Sequence, residues 1–527
     1  MKSKKILISI ILIFGFVCRI ISINQLPSSL NWDEVSLGYN AYSILKTGRD
    51  EWGFFLPTIF RCYGDFKLPV YIYTSILPIL LFGLNPLSVK LISILAGTFS
   101  PLIIYLILKK LFPHYKSIPL IGLFIACFSP GTIFLSRIAL EANLFMFLFC
   151  LSLYFLITRK FGLSSLFFGL GLFTYNSSRV LLPFYIISLV YFYLKSKPNF
   201  KKHLYQFIPF LVFILLAVYQ TLNPSGQARY QWVSILDSGS INQINELRQI
   251  YPRILINKAT YFTFIAAKNY FSHFSPNFIF FFGGSNYQFS LPNFYLISPL
   301  LIPFFILGLI YLIKNFHQPS SKLLLFWFLV SPIPSSITRD APHVLRSIIF
   351  IPTIILIISL GFIYFLKKFP KISWVYLIIT LILGQIFFWP KYNKYSQNYS
   401  SSWQYGYQPV TEYIKNNYSN YDQIIITKKY GEAHEFLLFY WPWDPQSYQN
   451  DSSKNWDFHA NWYWINAFDK FKFINDWEIK EYTQNLSQNQ KTLLITSPNN
   501  YNQDSFSLLK TINFLDNLPA FEILETK

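Results

Sequence analysis

Two adjacent carboxylates, Asp33 and Glu34, follow the first apolar run of the chain, residues 6–23. A carboxylate at the point where a membrane helix emerges can act as a general base or hold a metal ion. The same pair could instead mark the outer end of the helix, where charge costs little. Their position therefore makes them candidates for catalysis, with a structural role as the alternative.

Glu141 is a third acidic candidate, and it stands four residues after Arg137. On one helix this spacing would place both side chains on a common face, where they could form a local ion pair. Charges this close to a bilayer are expensive and tend to be functional. We therefore interpret Glu141 mainly as a second carboxylate that faces the same outer cavity as Asp33.

Four further side chains could bind a phosphate group: Lys67, Arg179, His343 and Arg346. Fixed cations stabilise a phosphate leaving group, and a guanidinium matches its geometry. Each has a structural alternative, because the lysine could be a snorkelling anchor, the arginines end caps and the histidine a hydrogen-bonded structural residue. The sequence shows no His/Cys metal cluster, phosphate-binding glycine loop or Ser/His/Asp arrangement. This argues against a nucleotide-driven enzyme or a hydrolase of familiar design.

The composition indicates a polytopic α-helical membrane protein. Of the 527 residues, 53% are hydrophobic and 13% are charged, whereas a soluble protein has about 25% charged residues. The apolar runs have about 17 to 22 residues, the length that crosses hydrocarbon as a helix. The net charge of +20 could suggest nucleic acid, but the basic residues cluster in short loops between apolar runs. That distribution is typical of a topology signal or of attraction to anionic lipids, so nucleic acid is not expected as a partner.

Eleven segments are predicted to span the membrane. They are residues 6–23, 87–108, 118–135, 141–157, 162–176, 182–194, 204–221, 295–313, 322–337, 347–366 and 372–389. The basic N-terminus lacks a signal-peptide cleavage site, so we expect an uncleaved first helix and a cytoplasmic N-terminus. Successive spans then cross the membrane in alternating directions, and every loop on the inner side is basic. The same alternation places every acidic residue before position 390 outside or at the outer end of a span.

This topology predicts a transmembrane domain, residues 1–389, and an extracytoplasmic C-terminal domain, residues 390–527. The transmembrane domain contains two long outer loops, 24–86 and 222–294, and residues 68–82 are expected to form an interfacial helix.

The C-terminal domain is predicted to be a small α/β domain. Its predicted strands are residues 423–427, 492–496 and 521–524, and its predicted helix is 410–417.

The motifs of the membrane region resemble those of the GT-C membrane glycosyltransferases. The resemblance covers residues 6–366 and is strongest over 31–112. It is carried by Asp33-Glu34 with Tyr39, Leu45 and Thr47-Gly48, then Lys67-Leu-Pro-Val-Tyr, Leu81-Phe82-Gly83 and a helix ending in Lys109-Lys110. The branch that it resembles contains the protein O-mannosyltransferases and the aminoarabinose transferases of lipid A, glycosyltransferase families 39 and 83, in a bacterial form.

This resemblance implies a GT-C fold with about eleven transmembrane helices and an extracytoplasmic C-terminal domain. It also implies transfer of a sugar, with inversion, from a polyprenyl-phosphate donor on the outer face of the plasma membrane. By the same resemblance Asp33 would be the base that activates the acceptor, Glu34 its acidic neighbour and Glu141 the second acidic position. Some relatives have Asp at the position of Glu141, and this difference changes the reach of the carboxylate.

The resemblance also implies that cationic side chains bind the phosphate of the donor. Lys67 would contact it, although Leu-Pro follows this lysine where Pro-Pro is commoner in the family. Arg346, Arg179 and His343 would be further phosphate-binding residues. No metal would be obligatory, although a divalent ion could bind near Asp33, as it does near the acidic pair in some relatives.

The acceptor would be a hydroxyl or an amine-bearing group on a glycan, lipid or protein. The alternative hypothesis is a transporter or flippase, or a ligase-like protein, that handles lipid-linked sugars. A transporter is expected to carry charges near the bilayer midplane and repeat symmetry between its halves. Here the acidic residues cluster at one face, and this favours the enzyme.

Overall fold

The structure is a computed structural model that describes residues 2–196, 204–486 and 490–527. Residues 197–203, which include part of a predicted inner loop, lie outside these ranges. The α-helices of the described ranges are α1 (Lys2–Ile20), α2 (Trp32–Thr47), α3 (Pro69–Phe82), α4 (Pro86–Leu111), α5 (Ile118–Phe128), α6 (Pro130–Ser136), α7 (Glu141–Ile157), α8 (Phe161–Leu172), α9 (Ser177–Lys195), α10 (Ile208–Leu222), α11 (Pro224–Val233), α12 (Ser238–Leu247), α13 (Lys258–Ser272), α14 (Ile302–Lys314), α15 (Pro319–Val330), α16 (Ile333–Ser336), α17 (Phe350–Lys368), α18 (Pro370–Asn398), α19 (Tyr407–Asn417), α20 (Ala433–Tyr440), α21 (Pro445–Gln449) and α22 (Ile479–Gln484). The strands are β1 (Phe60–Arg61), β2 (Phe66–Lys67), β3 (Gln423–Thr427), β4 (Asn455–His459), β5 (Trp462–Phe468), β6 (Phe471–Ile474), β7 (Thr492–Thr496), β8 (Phe506–Asn513) and β9 (Pro519–Thr526).

A helix lies in each of the eleven segments predicted as membrane spans. Within the described ranges, five helices are long and apolar enough to cross a membrane: Pro86–Leu111, Ser177–Lys195, Tyr205–Leu222, Phe350–Lys368 and Pro370–Asn398. A sixth span results if the pair α5 and α6 counts as one. The chain is therefore a multi-pass membrane protein. The total of eleven stays a prediction, since several of the other apolar helices have only 10–17 residues.

The pair α5 and α6 is bent by 55° at the Ser129–Pro130 step. Proline lacks a backbone N–H and disfavours the helical conformation of the residue before it, and Ser129 accordingly has a ψ of 131°. The Thr132 hydroxyl donates a hydrogen bond of 2.9 Å to the Ala126 carbonyl. A side chain thus satisfies a carbonyl at the break, as a membrane helix requires.

The C-terminal region contains a seven-stranded mixed sheet with the strand order β4-β5-β6-β3-β7-β9-β8. The central strand β3 runs parallel to β6 and β7, and the remaining pairs are antiparallel. Strands β3 and β7 are almost fully buried, because their apolar residues are continuous rather than alternating. The three predicted strands and the predicted helix, now α19, are confirmed, as is the α/β character of this region.

The chain forms two compact units. One consists of residues 22–92 and 391–527, and the other of residues 1–21 and 93–390. The first unit therefore contains the predicted outer loop 24–86 together with the predicted C-terminal domain. The predicted domain boundary at residue 389 rests on topology and stays a prediction.

Within the first unit, α2 packs closely against α20 and the turn before it. A Cβ atom added to Gly38 would lie 2.6 Å from the Phe439 ring and 2.6 Å from Val89. At the other end of the contact Gly431, with a φ of +105°, approaches the Trp32 ring so closely that a Cβ atom there would lie 2.2 Å from it. Because both glycines lack a Cβ, α2 approaches the C-terminal segment at backbone distance.

We expect Gly38→Ala to lower the free energy of unfolding by about 1–3 kcal/mol, because the added methyl group overpacks a filled contact. The measurement is the thermal midpoint of the full chain in detergent. Gly384→Ala is the matched control, since an added Cβ on this α18 residue meets no atom within 4 Å. Alanine also favours a helix by about 1 kcal/mol over glycine, so the control should be unchanged or more stable. Equal changes in both variants would contradict the packing.

Candidate functional site

The first unit brings together two of the predicted site residues, Asp33 and Lys67. Asp33 lies in the first turn of α2, and Lys67 ends the short hairpin of β1 and β2, in which it pairs with Phe60. Lys67 Nζ donates to Asp33 Oδ1 at 2.5 Å. The lysine side chain is 11% exposed and the aspartate side chain 39%. The ammonium is thus held against the carboxylate, while the carboxylate itself stays open to an incoming molecule.

Glu34 has a different position from its neighbour, because it is fully buried. Its Oε2 accepts a hydrogen bond of 3.1 Å from the Asn31 backbone N–H, and its own N–H donates to Asn31 Oδ1 at 3.0 Å. This reciprocal arrangement is a capping box at the start of α2. Glu34 therefore has a clear structural task, and its predicted catalytic role stays a prediction.

The second unit brings the two predicted arginines together. One cavity of about 240 Å³ is lined by Arg179, Arg346 and Arg229. Arg229 was not among the predicted site residues. Tyr175, Thr221 and Thr338 also line the cavity. Three guanidinium groups around one small cavity suit an anion with several oxygens, such as a phosphate.

Neutral groups hold the Arg179 guanidinium in place. It donates to Gln220 Oε1 at 2.5 Å, to the Thr221 hydroxyl at 3.4 Å and to the Leu172 carbonyl at 3.3 Å. Because these partners carry no charge, they orient the arginine without neutralising it.

Arg346 donates to the Thr338 hydroxyl at 2.8 Å and to Asp340 Oδ2 at 3.4 Å. The Asp340 side chain is 57% exposed, so this ion pair is screened by solvent. Arg346 thus also retains much of its charge for a ligand.

His343 is buried beside these arginines, and its Nδ1 accepts a 3.4 Å hydrogen bond from the Arg346 backbone N–H. Burial, together with the nearby Arg346 and Arg229, holds the pKa of His343 well below its usual range. The neutral form of the imidazole is therefore favoured. It could donate a hydrogen bond to a phosphate but would add no charge, and its predicted phosphate contact stays a prediction.

Glu141 does not share a helix with Arg137. The break between α6 and α7 separates them, since α6 ends at Ser136 and α7 begins at Glu141 itself. The condition for a common helix face is therefore not met, in agreement with the predicted spans 118–135 and 141–157. Glu141 instead lies half-buried in the first turn of α7, where it interacts electrostatically with Tyr175. This places a predicted site residue next to a residue of the arginine-lined cavity.

One group of possible metal ligands was missed by the sequence analysis. Glu51, His434 and Glu435, all buried, each offer one ligand atom, and these atoms lie within 4.8 Å of one another. The group lies in the first unit and does not include Asp33, near which the sequence allowed a divalent ion. Glu51 lies 383 positions before His434 in the chain, so no local spacing could have revealed the group.

The fold of this chain is similar to that of solved membrane proteins. ArnT from Cupriavidus metallidurans, in a crystal structure with bound undecaprenyl phosphate, is similar over 100% of this chain and 98% of its own, with a TM-score of 0.54 and 11% sequence identity. The apo state of the same protein gives a TM-score of 0.52 at 11% identity, over 99% and 98% of the two chains. At such low identity the likeness shows the fold, and it confirms the expected GT-C architecture.

An oligosaccharyltransferase from Archaeoglobus fulgidus in its apo form has a TM-score of 0.47 and 13% sequence identity to this chain. The match covers 82% of this chain, which spans only 63% of the length of that enzyme. No model of a protein family matches the sequence, and no curated protein matches it significantly.

The capping box generates a prediction about stability. Asn31→Ala should lower the free energy of unfolding by about 1 kcal/mol, because the Glu34 backbone N–H at the start of α2 loses the Asn31 side chain as its acceptor. Asn31→Ser, which can still cap the helix, should stay close to the wild type in thermal midpoint. If the alanine variant is as stable as the serine variant, the cap does not stabilise α2.

Proposed function

We propose that this protein is a glycosyltransferase that moves a sugar from a polyprenyl-phosphate donor to an acceptor on the outer face of the plasma membrane. The observation that carries the proposal is the exposed Asp33 carboxylate held by Lys67 in a chain with the GT-C fold. The acceptor would be a hydroxyl or an amine-bearing group on a glycan, lipid or protein. The cytoplasmic N-terminus and the extracytoplasmic position of residues 390–527 are part of the same proposal.

In the proposed reaction Asp33 is the general base. Its carboxylate takes the proton of the acceptor hydroxyl, and the oxygen attacks the anomeric carbon of the sugar from the face opposite the phosphate. The new C–O bond forms as the bond between the anomeric carbon and the phosphate oxygen breaks, so the configuration inverts. The exposed carboxylate can be reached by an acceptor, as a base must be. Glu141 is proposed as the second acidic residue.

The polyprenyl phosphate leaves as an anion, and cations stabilise the charge that develops on it. Arg179 and Arg346 are proposed for this task because they keep their charge and line one phosphate-sized cavity. Lys67 is proposed as a further phosphate contact. An ammonium carries three donors, so its pairing with Asp33 is compatible with that role. His343 would contribute a hydrogen bond without charge.

The similar ArnT structure holds undecaprenyl phosphate, and this supports a polyprenyl phosphate as the carrier. In the proposed reaction the side-chain cations neutralise the leaving group, so the chemistry needs no obligatory metal.

Asp33→Asn should abolish transfer, with a loss of about 10³-fold or more in kcat, because the isosteric amide cannot take up the proton. The measurement is transfer of radiolabelled sugar from polyprenyl phosphate in membranes with matched amounts of protein. Asp504→Asn is the control, since this aspartate is exposed and lies in the same unit. Equal labelling by wild type and Asp33→Asn would rule out Asp33 as the base. A wild type that transfers none of several sugars but moves lipid-linked sugar across vesicle membranes would instead be a transporter.

Arg179→Gln and Arg346→Gln should each lower kcat by about 10²–10³-fold, the usual effect of removing one donor that stabilises developing charge. Arg346→Lys should recover only part of the loss, because an ammonium cannot bind a phosphate with two parallel bonds. Arg253→Gln, at an exposed position of the same unit, should leave transfer unchanged. Full activity in both glutamine variants would exclude the cavity as the phosphate site.

A further inference from the structure

We propose that Glu51, His434 and Glu435 bind one divalent transition-metal ion of the zinc type, which fastens the loop after α2 to the first turn of α20. One ligand atom from each residue lies within 4.8 Å of the other two. The residues are only 3%, 4% and 1% exposed. The proposed role of the ion is structural, and it does not depend on the activity proposed above.

Each glutamate has one buried oxygen without a hydrogen-bond partner among the described residues. Glu51 Oε1 accepts from Asn40 Nδ2 at 3.0 Å, but Glu51 Oε2 and Glu435 Oε2 accept from no donor. An unsatisfied buried polar atom costs about 1–3 kcal/mol, and more when it is charged. A cation between the two carboxylates and the imidazole would satisfy both oxygens at once.

A carboxylate outside the proposed ligand set, that of Glu432, lies next to the His434 ring. His434 Nε2 lies 3.9 Å from Glu435 Oε1, while His434 Nδ1 lies 3.4 Å from Glu432 Oε2. Metal-bound histidines commonly donate their second ring N–H to a carboxylate in this way. Glu432 is itself held by the Trp462 indole, which donates to its Oε1.

Asn40 plays the corresponding role for Glu51. Besides the side-chain bond to Oε1, its Oδ1 accepts from the Glu51 backbone N–H at 3.2 Å. Asn40 and Glu432, which are not proposed as ligands, therefore orient Glu51 and His434.

The charge and the ligand types indicate which ion fits. Two buried carboxylates carry two negative charges, which one divalent cation balances. Lys454 attracts Glu51, but it interacts with Asp50 and Asp451 as well, so it is not dedicated to the pair. Magnesium and calcium prefer oxygen ligands alone, whereas an imidazole with carboxylates suits zinc. Zinc binds such ligands at about 2.0–2.2 Å, so a small side-chain movement would close the site.

The competing occupant is a proton. Burial raises the pKa of Glu51 to about 7 and that of Glu435 well above its usual range, so without a cation the two carboxyl groups would share a proton. Metal content distinguishes the two states directly.

The test uses the full chain in detergent, with any affinity tag removed, incubated with zinc chloride and freed of excess metal by gel filtration. Elemental analysis should find about one zinc ion per wild-type chain. Glu51→Gln and Glu435→Gln preserve side-chain volume and should each reduce the content at least about tenfold. Glu412→Gln, an exposed glutamate on α19 of the same unit, should keep the wild-type content. Circular dichroism and elution volume verify that every variant is folded.

A second measurement tests the structural role. A chelator should lower the thermal midpoint of the wild type by about 5 °C, zinc should restore it, and calcium should not. The two glutamine variants should not respond to either addition. A wild type without zinc, or glutamine variants that keep it, would overturn the site. A wild type that loses zinc without a change in midpoint would overturn the structural role. Neither readout involves sugar transfer, so this result and that of the transfer assay are independent.

Discussion

The close contact between α2 and the segment around α20 is the constraint on which the first unit depends. The Trp32 ring lies against Gly431 at one end of the contact, and Gly38 lies against Phe439 further along the helix. A contact made at backbone distance leaves little freedom to slide or rotate. It therefore sets the position of the first turn of α2, where Asp33 meets Lys67, and of the loop after α2, which carries Glu51.

In the second unit, the position of the Arg179 guanidinium depends on its hydrogen-bond partners. A guanidinium near a membrane is expensive to bury, and it is tolerated when it has hydrogen-bond partners. Arg179 donates hydrogen bonds to an amide, a hydroxyl and a carbonyl. These three acceptors are neutral, so they do not balance the positive charge of the guanidinium. A cation arranged in this way is stabilised further by an anionic ligand. Arg346, which also lines the cavity, is ion-paired, but its partner Asp340 is 57% exposed and the pair is screened by solvent.

The sequence predicts the features that depend on local pattern. Long apolar runs locate the helices because hydrocarbon thickness sets their length, and the continuous apolar run Ile424–Ile426 identifies a strand buried on both faces. The spacing of Arg137 and Glu141 would place them on one face only if one helix contained both, and the break between α6 and α7 separates them. Arg229 was missed because nothing in its neighbourhood distinguishes it from a loop arginine. Its role depends on which helices meet, and one sequence does not contain that information.

Asp33, in the first turn of α2, and Glu51, in the loop after α2, differ in their exposure to solvent. This difference determines what each carboxylate can bind. Asp33 keeps 39% of its side chain exposed, so an incoming molecule can reach its carboxylate. Glu51 is 3% exposed and cannot reach a substrate, so its charge must be balanced by something that stays. A proton would join only the two carboxyl groups, whereas a divalent ion would bind Glu51, Glu435 and His434 together. A fixed ion would in turn hold the loop after α2 against the first turn of α20.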